Sequence, residues 1–322
     1  MDKPWLSVII PCRNGERWLA ATLQSIVDQK EPGIEVIFVD GSENDKSFEI
    51  AKSFSDQIDL KTFRRRDSSW MTKTNFGVEQ ATADQICMLH VDDVWLPGRC
   101  HYLRKWLSSQ PEAAMQLHSC YIIDEAGRRL GIWRCPLPDD DRPVPGPVLF
   151  ERLLVQNFIG IPTPTIRRDA YLAVGGLDTS LWYTADWDLY LKIGSTGNVY
   201  YHSLALAGYR IHRHALTVLG SRDSDDFRNQ HQIVVNRHAH KLPAETKHHV
   251  LSTAMVSIRV NVVLAGLYGG GFSKLFVNIA GSCRTAYSLL ALGPRGIREY
   301  FTYSRIADRV IPRLRALAMH RM

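Results

Sequence analysis

The chain has 322 residues, 45% of them hydrophobic and 22% charged, enough to bury a full core in one large domain or two modest ones. Six scattered cysteines with no CxxC pair exclude a disulfide framework and a cysteine-based zinc site, and favour a reducing compartment. The net charge of +6 is uneven: from His240 onward 12 Lys and Arg face 3 Asp and Glu, whereas the preceding part carries 27 against 30, so an anionic partner such as a membrane surface is expected for the tail.

Met1–Pro4 runs straight into an apolar run without a leader-like segment, and a cytoplasmic protein is expected. Trp5–Pro11 reads as a buried strand and Cys12–Gly15 as a turn, with helical spacing of Trp18, Leu19, Leu23, Ile26 and Val27 after it. Pro32-Gly33 breaks the chain before a second buried strand, Val36–Val39, which ends in the polar loop Asp40–Asp45. A helix over Ser47–Phe54, a weaker strand over Ile58–Phe63 and a helix over Thr72–Ala81 come next. Ile86–Leu89 is another buried strand, followed by His90-Val91-Asp92-Asp93, and Trp95-Leu96-Pro97 is expected to open a helix with Pro in its first turn. Strands alternating with helices at this spacing predict an α/β fold with a mostly parallel, doubly wound sheet, whose carboxyl edge carries Asp40 and Asp92. GxGxxG and Walker patterns are missing, so neither dinucleotide nor P-loop chemistry is indicated.

Ala114–Ile123 and Arg129–Trp133 read as a hairpin around Glu125-Ala126-Gly127. A Pro- and Asp-rich loop follows, then helices over Pro147–Gln156 and Arg168–Val174, and Trp182–Leu189 leads into a helix ending near Gly194. From Arg222 the chain turns helical: Asp226–His238, Pro243–Leu267, Phe272–Leu292 and Ile297–Leu317, with breaks at Gly269–Gly271 and Gly293–Gly296. Arg259 and Arg284 interrupt the two most apolar stretches, so a spanning helix is not expected. Amphipathic helices bearing Arg can lie on an anionic leaflet or pack on the rest of the protein, and periodicity does not separate the two.

Four segments occur in order: Val8-Ile9-Ile10-Pro11-Cys12-Arg13-Asn14, Val39-Asp40-Gly41-Ser42, His90-Val91-Asp92-Asp93 and Ala185-Asp186-Trp187-Asp188-Leu189. Lys73–Gly77 and Tyr209-Arg210-Ile211-His212 add to the pattern. Over about residues 5–218 the chain resembles the family 2 glycosyltransferases, inverting enzymes with the GT-A nucleotide-diphospho-sugar fold. The resemblance implies a catalytic domain over 1–220, with a nucleotide-binding half 1–95 and an acceptor half 96–220, and a helical, basic extension over 221–322. It implies Pro11, Arg13, Asp40, Asn75 and His90 around the nucleoside, Asp92, Asp93 and His212 around a divalent cation (Mn²⁺ or Mg²⁺), and Asp186 as general base. A UDP-sugar is the expected donor and a saccharide or lipid-linked molecule the acceptor, in cell-surface polysaccharide or glycolipid synthesis; no nucleic acid is expected. Asp188 competes with Asp186, and His214 with His212. His90 stands where the family often has an acid, and Ala185 where it often has Glu. Those departures motivate the alternative of a weak or inactive nucleotide-binding scaffold at a membrane complex.

Overall fold

Seven consecutive buried residues, Leu6–Cys12, form strand β1 at the centre of the parallel part of the sheet. A strand can be apolar on both sides only if both faces of its sheet are covered, and this one is. Val8, Ile10, Phe38, Cys87 and Leu89 point into one apolar cluster, and Ile9, Ile37, Val39, Ile86 and Met88 into another on the opposite face. The computed structural model describes residues 3–66, 68–220, 223–269 and 275–319.

Helix α1 (Leu19–Val27) leads to β2 (Ile34–Asp40), α2 (Lys46–Lys52) to β3 (Asp59–Arg64), and α3 (Trp70–Gln80) to β4 (Gln85–Met88). These four strands are parallel and adjacent in the order β3-β2-β1-β4, as the alternation of apolar runs and helices requires. Gly77 lets α3 lie close on β1, because a Cβ there would stand 2.6 Å from Ile9 Cγ2.

The second half of the sheet departs from a parallel pattern. Val94–Trp95 is a short strand, β5, and not the start of a helix; α4 begins only at Arg99, after Gly98 turns the chain at φ +82°. The hairpin of β6 (Ala113–Ile123) and β7 (Arg129–Trp133) forms as expected. Helix α5 (Gly146–Val155), strand β8 (Thr165–Arg167), helices α6 (Arg168–Ala173) and α7 (Ala185–Gly194), and a 13-residue strand β9 (Asn198–Arg210) complete this half. The sheet continues β4-β8-β6-β9-β5; β8 runs antiparallel to β4 and β6, and β9 parallel to β6. The long β9 carries the chain back to the carboxyl edge and delivers Arg210, Ile211 and His212 beside Asp92 and Asp93.

Beyond α8 (Leu216–Gly220), helices α9 (Ser224–His238), α10 (Ala244–Gly269), α11 (Leu275–Ala291), α12 (Gly293–Ser304) and α13 (Ile306–Met319) make up the rest. The expected single helix over 297–317 is two, parted at Arg305 in the left-handed region (φ 49°). The break at Gly269–Gly271 and residues 272–274 of the expected helix over 272–292 fall partly outside the described residues. By length and composition alone α10 is apolar enough over Ala244–Ala265 to cross a membrane, with Arg259 inside that stretch. It packs on α5, α9 and α11, and α13 packs on β7, so the basic tail is built onto the α/β part.

Glu35 on β2 is a buried carboxylate that this half relies on. It accepts from Ser7 Oγ (2.5 Å), Lys61 Nζ (2.5 Å) and the Thr82 amide (2.6 Å), joining β1, β2, β3 and the end of α3. Burial opposes its charge, but these donors outweigh burial and hold its pKa at about 2 against an ordinary 4.5. A depressed carboxyl pKa contributes stability that is present above the unfolded value and lost as pH falls through the folded one. Glu35→Gln is therefore expected to cost about 2 kcal/mol at pH 7, discounted because Lys61 is partly exposed. Urea unfolding at pH 7 and pH 3 checks this: the gap between variant and wild type narrows at the lower pH.

Candidate active site

The nucleotide edge is formed by the ends of β1 and β2. Pro11 is buried in β1, and Arg13 beyond it is exposed, 3.6 Å from Glu43. Asp40, the last residue of β2, is 1% exposed. Its Oδ1 accepts from the Ser42 amide (2.9 Å) and Ser42 Oγ (2.5 Å), so it closes its own turn and does not cap α2. Its Oδ2 is buried with no hydrogen bond, and Arg64 Nη1 lies 3.9 Å away. An ionised carboxylate is acceptor-only, so this oxygen suits an N–H brought in by a ligand.

Asn75 does not belong to this edge. Its Nδ2 donates to the Leu177 carbonyl (2.8 Å), and its Oδ1 accepts from Tyr171 Oη (2.5 Å) and the Leu177 amide (3.0 Å). Both ends of the amide are used to tie α3 to the turn after α6, which corrects its expected role at the nucleoside. The residue that the sequence did not single out is Lys73, two positions before Asn75 on the same helix. It is 2% exposed, donates to the Ser68 carbonyl (2.7 Å), and lies so near Gly41 that a Cβ there would meet its Nζ at 2.8 Å. Burial lowers its pKa. The available signal was a lysine on the apolar side of a helix, between Met71 and Val78.

His90 follows β4, with its Nε2 buried and unbonded and its ring 5.3 Å from that of Trp70. Burial pushes its pKa down, so it is a neutral imidazole at pH 7. Asp92 and Asp93 point differently. Asp92 Oδ2 is 2.8 Å from His212 Nε2, and its side chain keeps 24% exposure. Burial opposes its ionisation, but the His212 hydrogen bond and the adjacent His90 hold its carboxyl below the usual range.

Asp93 is turned into the protein, where Oδ1 accepts the Arg210 amide (2.8 Å). Burial, and then the charge of Asp92, push its pKa well up. Its Oδ1 is spent on the β9 backbone, so the expectation for Asp93 is corrected: it secures the end of β9. Arg210 reinforces that joint by donating to the carbonyls of Asp92 (2.7 Å) and Asp124 (2.8 Å).

The His212 ring lies tilted against Trp18, centroids 4.3 Å apart, and its Nδ1 is buried without a hydrogen bond. His214 is exposed beside Arg213 and takes no part. Among the described residues no three His, Cys, Asp or Glu side chains converge on one point. Magnesium-type ions take one or two protein ligands and complete their shell with phosphates and water, and Asp92 with His212 is a pair of that kind.

Asp186 lies in the first turn of α7, and the N-cap of that helix is Thr184. Its Oδ1 accepts the Trp187 amide (2.8 Å) and its Oδ2 accepts Asn157 Nδ2 (3.1 Å). Burial outweighs both bonds and pushes its pKa up to about 6. Asp188 is excluded as the competitor. Fully buried, it meets His238 Nε2 (2.8 Å), Arg237 Nη1 (3.0 Å) and Lys192 Nζ (3.1 Å), which overcome burial and hold its pKa far below the carboxylate range. Asp188→Asn leaves that cluster without its anion, and a loss of about 3 kcal/mol is expected from equilibrium denaturation, with ligand affinity unchanged below the unfolding transition.

Tyr183, three residues before Asp186, and His212, bonded to Asp92, both line a cavity of about 690 Å³, as does Tyr209. Trp70, beside His90, donates through Nε1 to the Trp182 carbonyl (3.0 Å), joining the nucleotide edge to the loop that precedes Asp186.

A Haemophilus influenzae protein called an uncharacterized glycosyltransferase is 26% identical over 192 residues, 58% of this chain and 61% of that protein. A Rickettsia typhi protein of the same description is 25% identical over 210 residues, 65% of this chain and 64% of its own length. The chain thus spans about three fifths of the length of these curated relatives. Among solved structures, S. aureus TarS 1-349 in complex with UDP-GlcNAc has a TM-score of 0.55 at 15% identity, over 88% of this chain and 89% of that one. The mannosyltransferase PcManGT from Pyrobaculum calidifontis, in complex with GDP-Man and Mn²⁺, has a TM-score of 0.56 at 15% identity, over 98% of this chain and 88% of that one. These likenesses establish the GT-A type of fold. Residues 7–167 match the model of the family described as Glycosyl transferase family 2, half of the chain, and the protein belongs to that family.

Proposed function

We propose that this protein transfers a sugar from a nucleotide-diphospho-sugar to an acceptor hydroxyl with inversion at the anomeric carbon. The observation that carries the reading is a carboxylate whose pKa burial raises, Asp186, three residues along from Tyr183 in the wall of a cavity that His212, the partner of Asp92, also lines. Asp40 accepts a hydrogen bond from the base through its unpaired Oδ2. Neutral His90 and buried Lys73 lie where ribose and diphosphate pass. Asp92 and His212 hold the divalent cation, which supplies charge neutralisation of the departing nucleoside diphosphate. Asp186 takes the proton of the acceptor hydroxyl as that oxygen attacks the face opposite the leaving group. A base with a pKa near 6 suits this task, since it is ionised at pH 7 yet basic enough to accept.

UDP- and GDP-sugars are the donors to try first, because the two structural relatives were solved with one of each. Thermal shift with UDP, GDP, dTDP and CDP, each with and without Mn²⁺, tests the reading. One diphosphate raises the melting temperature by several degrees, and only with the metal present, as binding to the folded state alone requires. No shift with any of the four, with or without Mn²⁺, would sink the proposal. Metal-dependent binding without turnover of any donor would favour the scaffold alternative instead.

A further inference from the structure

Helix α5 stops at Gln156, whose extended backbone (φ −163°, ψ 136°) sends its side chain and that of Asn157 to opposite sides of the chain. Asn157 reaches α7, where its Nδ2 donates to Asp186 Oδ2 (3.1 Å). The other end of that amide is used as well. Its Oδ1 accepts the Ile159 amide (3.1 Å), so the donor end is the one that faces the carboxylate. Gln156, 7% exposed, turns toward α10. Its Oε1 accepts from the buried Ser257 Oγ (3.0 Å) and Asn261 Nδ2 (2.9 Å), and its Nε2 donates to the Asn157 carbonyl (3.2 Å). Asn261 Oδ1 in turn accepts Arg309 Nη2 of α13 (2.6 Å).

A hydrogen-bonded route thus runs from α13 and α10 through Gln156 and Asn157 to Asp186. Leu153, Leu154, Val155, Phe158 and Ile159 on either side are core hydrophobics, so packing alone would be served by apolar side chains at 156 and 157 as well. Buried amides are costly to leave unpaired, and a linked set of them settles in one arrangement. Among the described residues Asn157 is the one side chain that donates to Asp186. The titratable groups beside that carboxyl are the phenols of Tyr183 and Tyr190, whose pKa burial raises, so both stay neutral where it titrates.

We propose that α10 positions the base from a distance: Ser257 and Asn261 hold Gln156, Gln156 holds Asn157, and Asn157 fixes the orientation of the Asp186 carboxylate. These four are positioning residues that act through Asp186. That Asp186 is a base rests on the transferase reading above; the route to it from α10 does not.

Carbon-13 NMR titration of the full chain labelled at its aspartate carboxyls tests it, with the Asp186 signal identified by its loss in Asp186→Asn. The wild-type midpoint is expected at about pH 6. Asn157→Ala removes a donor to the charged form, so its midpoint is expected roughly one pH unit higher, and kcat roughly tenfold lower with nucleoside diphosphate affinity within about twofold. Gln156→Ala is expected to move midpoint and kcat the same way, roughly half as far, and to add nothing once residue 157 is already alanine. A side chain that only supported the fold would leave the midpoint in place, and its effects would add to those of Asn157→Ala. An unchanged midpoint in Asn157→Ala would overturn the hold on Asp186. An unchanged midpoint in Gln156→Ala, or additive effects, would overturn the route from α10. Two gentler variants carry the same expectations and decide the matter if the alanine variants lose their cooperative unfolding transition: Asn157→Ser, whose hydroxyl can still accept the Ile159 amide, and Ser257→Ala, which leaves Gln156 bonded to Asn261. Should the wild type turn over no donor while the midpoints move as stated, the transferase reading fails and the route from α10 to Asp186 stands.

Discussion

Asp186→Asn is expected to lower kcat by about 10²–10⁴-fold, the usual contribution of a positioned base, while nucleoside diphosphate affinity stays within about twofold. The amide keeps the shape and can still accept from the Trp187 amide, but it cannot take a proton. Activity loss with unaltered donor binding separates a role toward the acceptor from one toward the nucleotide. The pH profile supplies a second check. With a pKa of about 6 the wild-type carboxyl is protonated below that pH, so kcat/KM falls on the acid side with its bend near 6, and the residual activity of the variant lacks that bend.

Stability should move in the opposite sense from activity. Because the folded state binds a proton at Asp186 more readily than the unfolded one, ionisation at pH 7 costs stability, in full above about pH 6 and not at all below the ordinary carboxyl value. Asp186→Asn is therefore expected to stabilise the protein by about 2 kcal/mol at pH 7.5 and to leave it unchanged near pH 3.5. A variant equal to wild type in turnover would remove Asp186 as the base.

The second large effect is expected at Asp92. Asp92→Asn removes the one ionised carboxylate beside His212, and Mn²⁺-dependent affinity for the nucleoside diphosphate should fall by about 10²-fold or more, with turnover falling at least as far. His212→Ala should lose about tenfold, since an oxygen ligand and phosphates remain. Asp93→Asn provides the contrast. That carboxyl is buried, turned inward and accepts a single backbone bond, which an amide oxygen can also accept, so metal-dependent affinity is retained. Isothermal titration with and without Mn²⁺ on the three variants reads these differences directly. Equal losses at Asp92 and Asp93 would mean that the two act as one ligand set, contrary to their opposite orientations.

How much of the site was legible depended on how local its determinants were. Asp40 and Asp92 could be placed at the carboxyl edge because each follows an apolar run within two or three residues, and a buried parallel strand announces itself by its continuous hydrophobicity. Strand β9 was harder to read: its pairing with β6 shifts register near His118–Ser119, and the exposed Ser203 and Leu204, after a buried His202, interrupt its apolar pattern. The short β5 was hidden for the opposite reason. Two residues are too few to show a period, and Pro97 imitated a helix start that Gly98 in fact delays.

The sequence by itself determined the parallel half, the strand ends that carry Asp40 and Asp92, and the amphipathic character of the tail, all of which follow from spacing within a few residues. Only the tertiary structure decided between Asp92 and Asp93 and between Asp186 and Asp188. Neighbouring carboxylates are chemically alike, and what separates them are groups far along the chain: the Arg210 amide that turns Asp93 inward, and the His238, Arg237 and Lys192 side chains that enclose Asp188. The place of α13 beside the cavity was settled in the same way, by its packing on β7, for an amphipathic helix carries no mark of which surface its apolar face will meet.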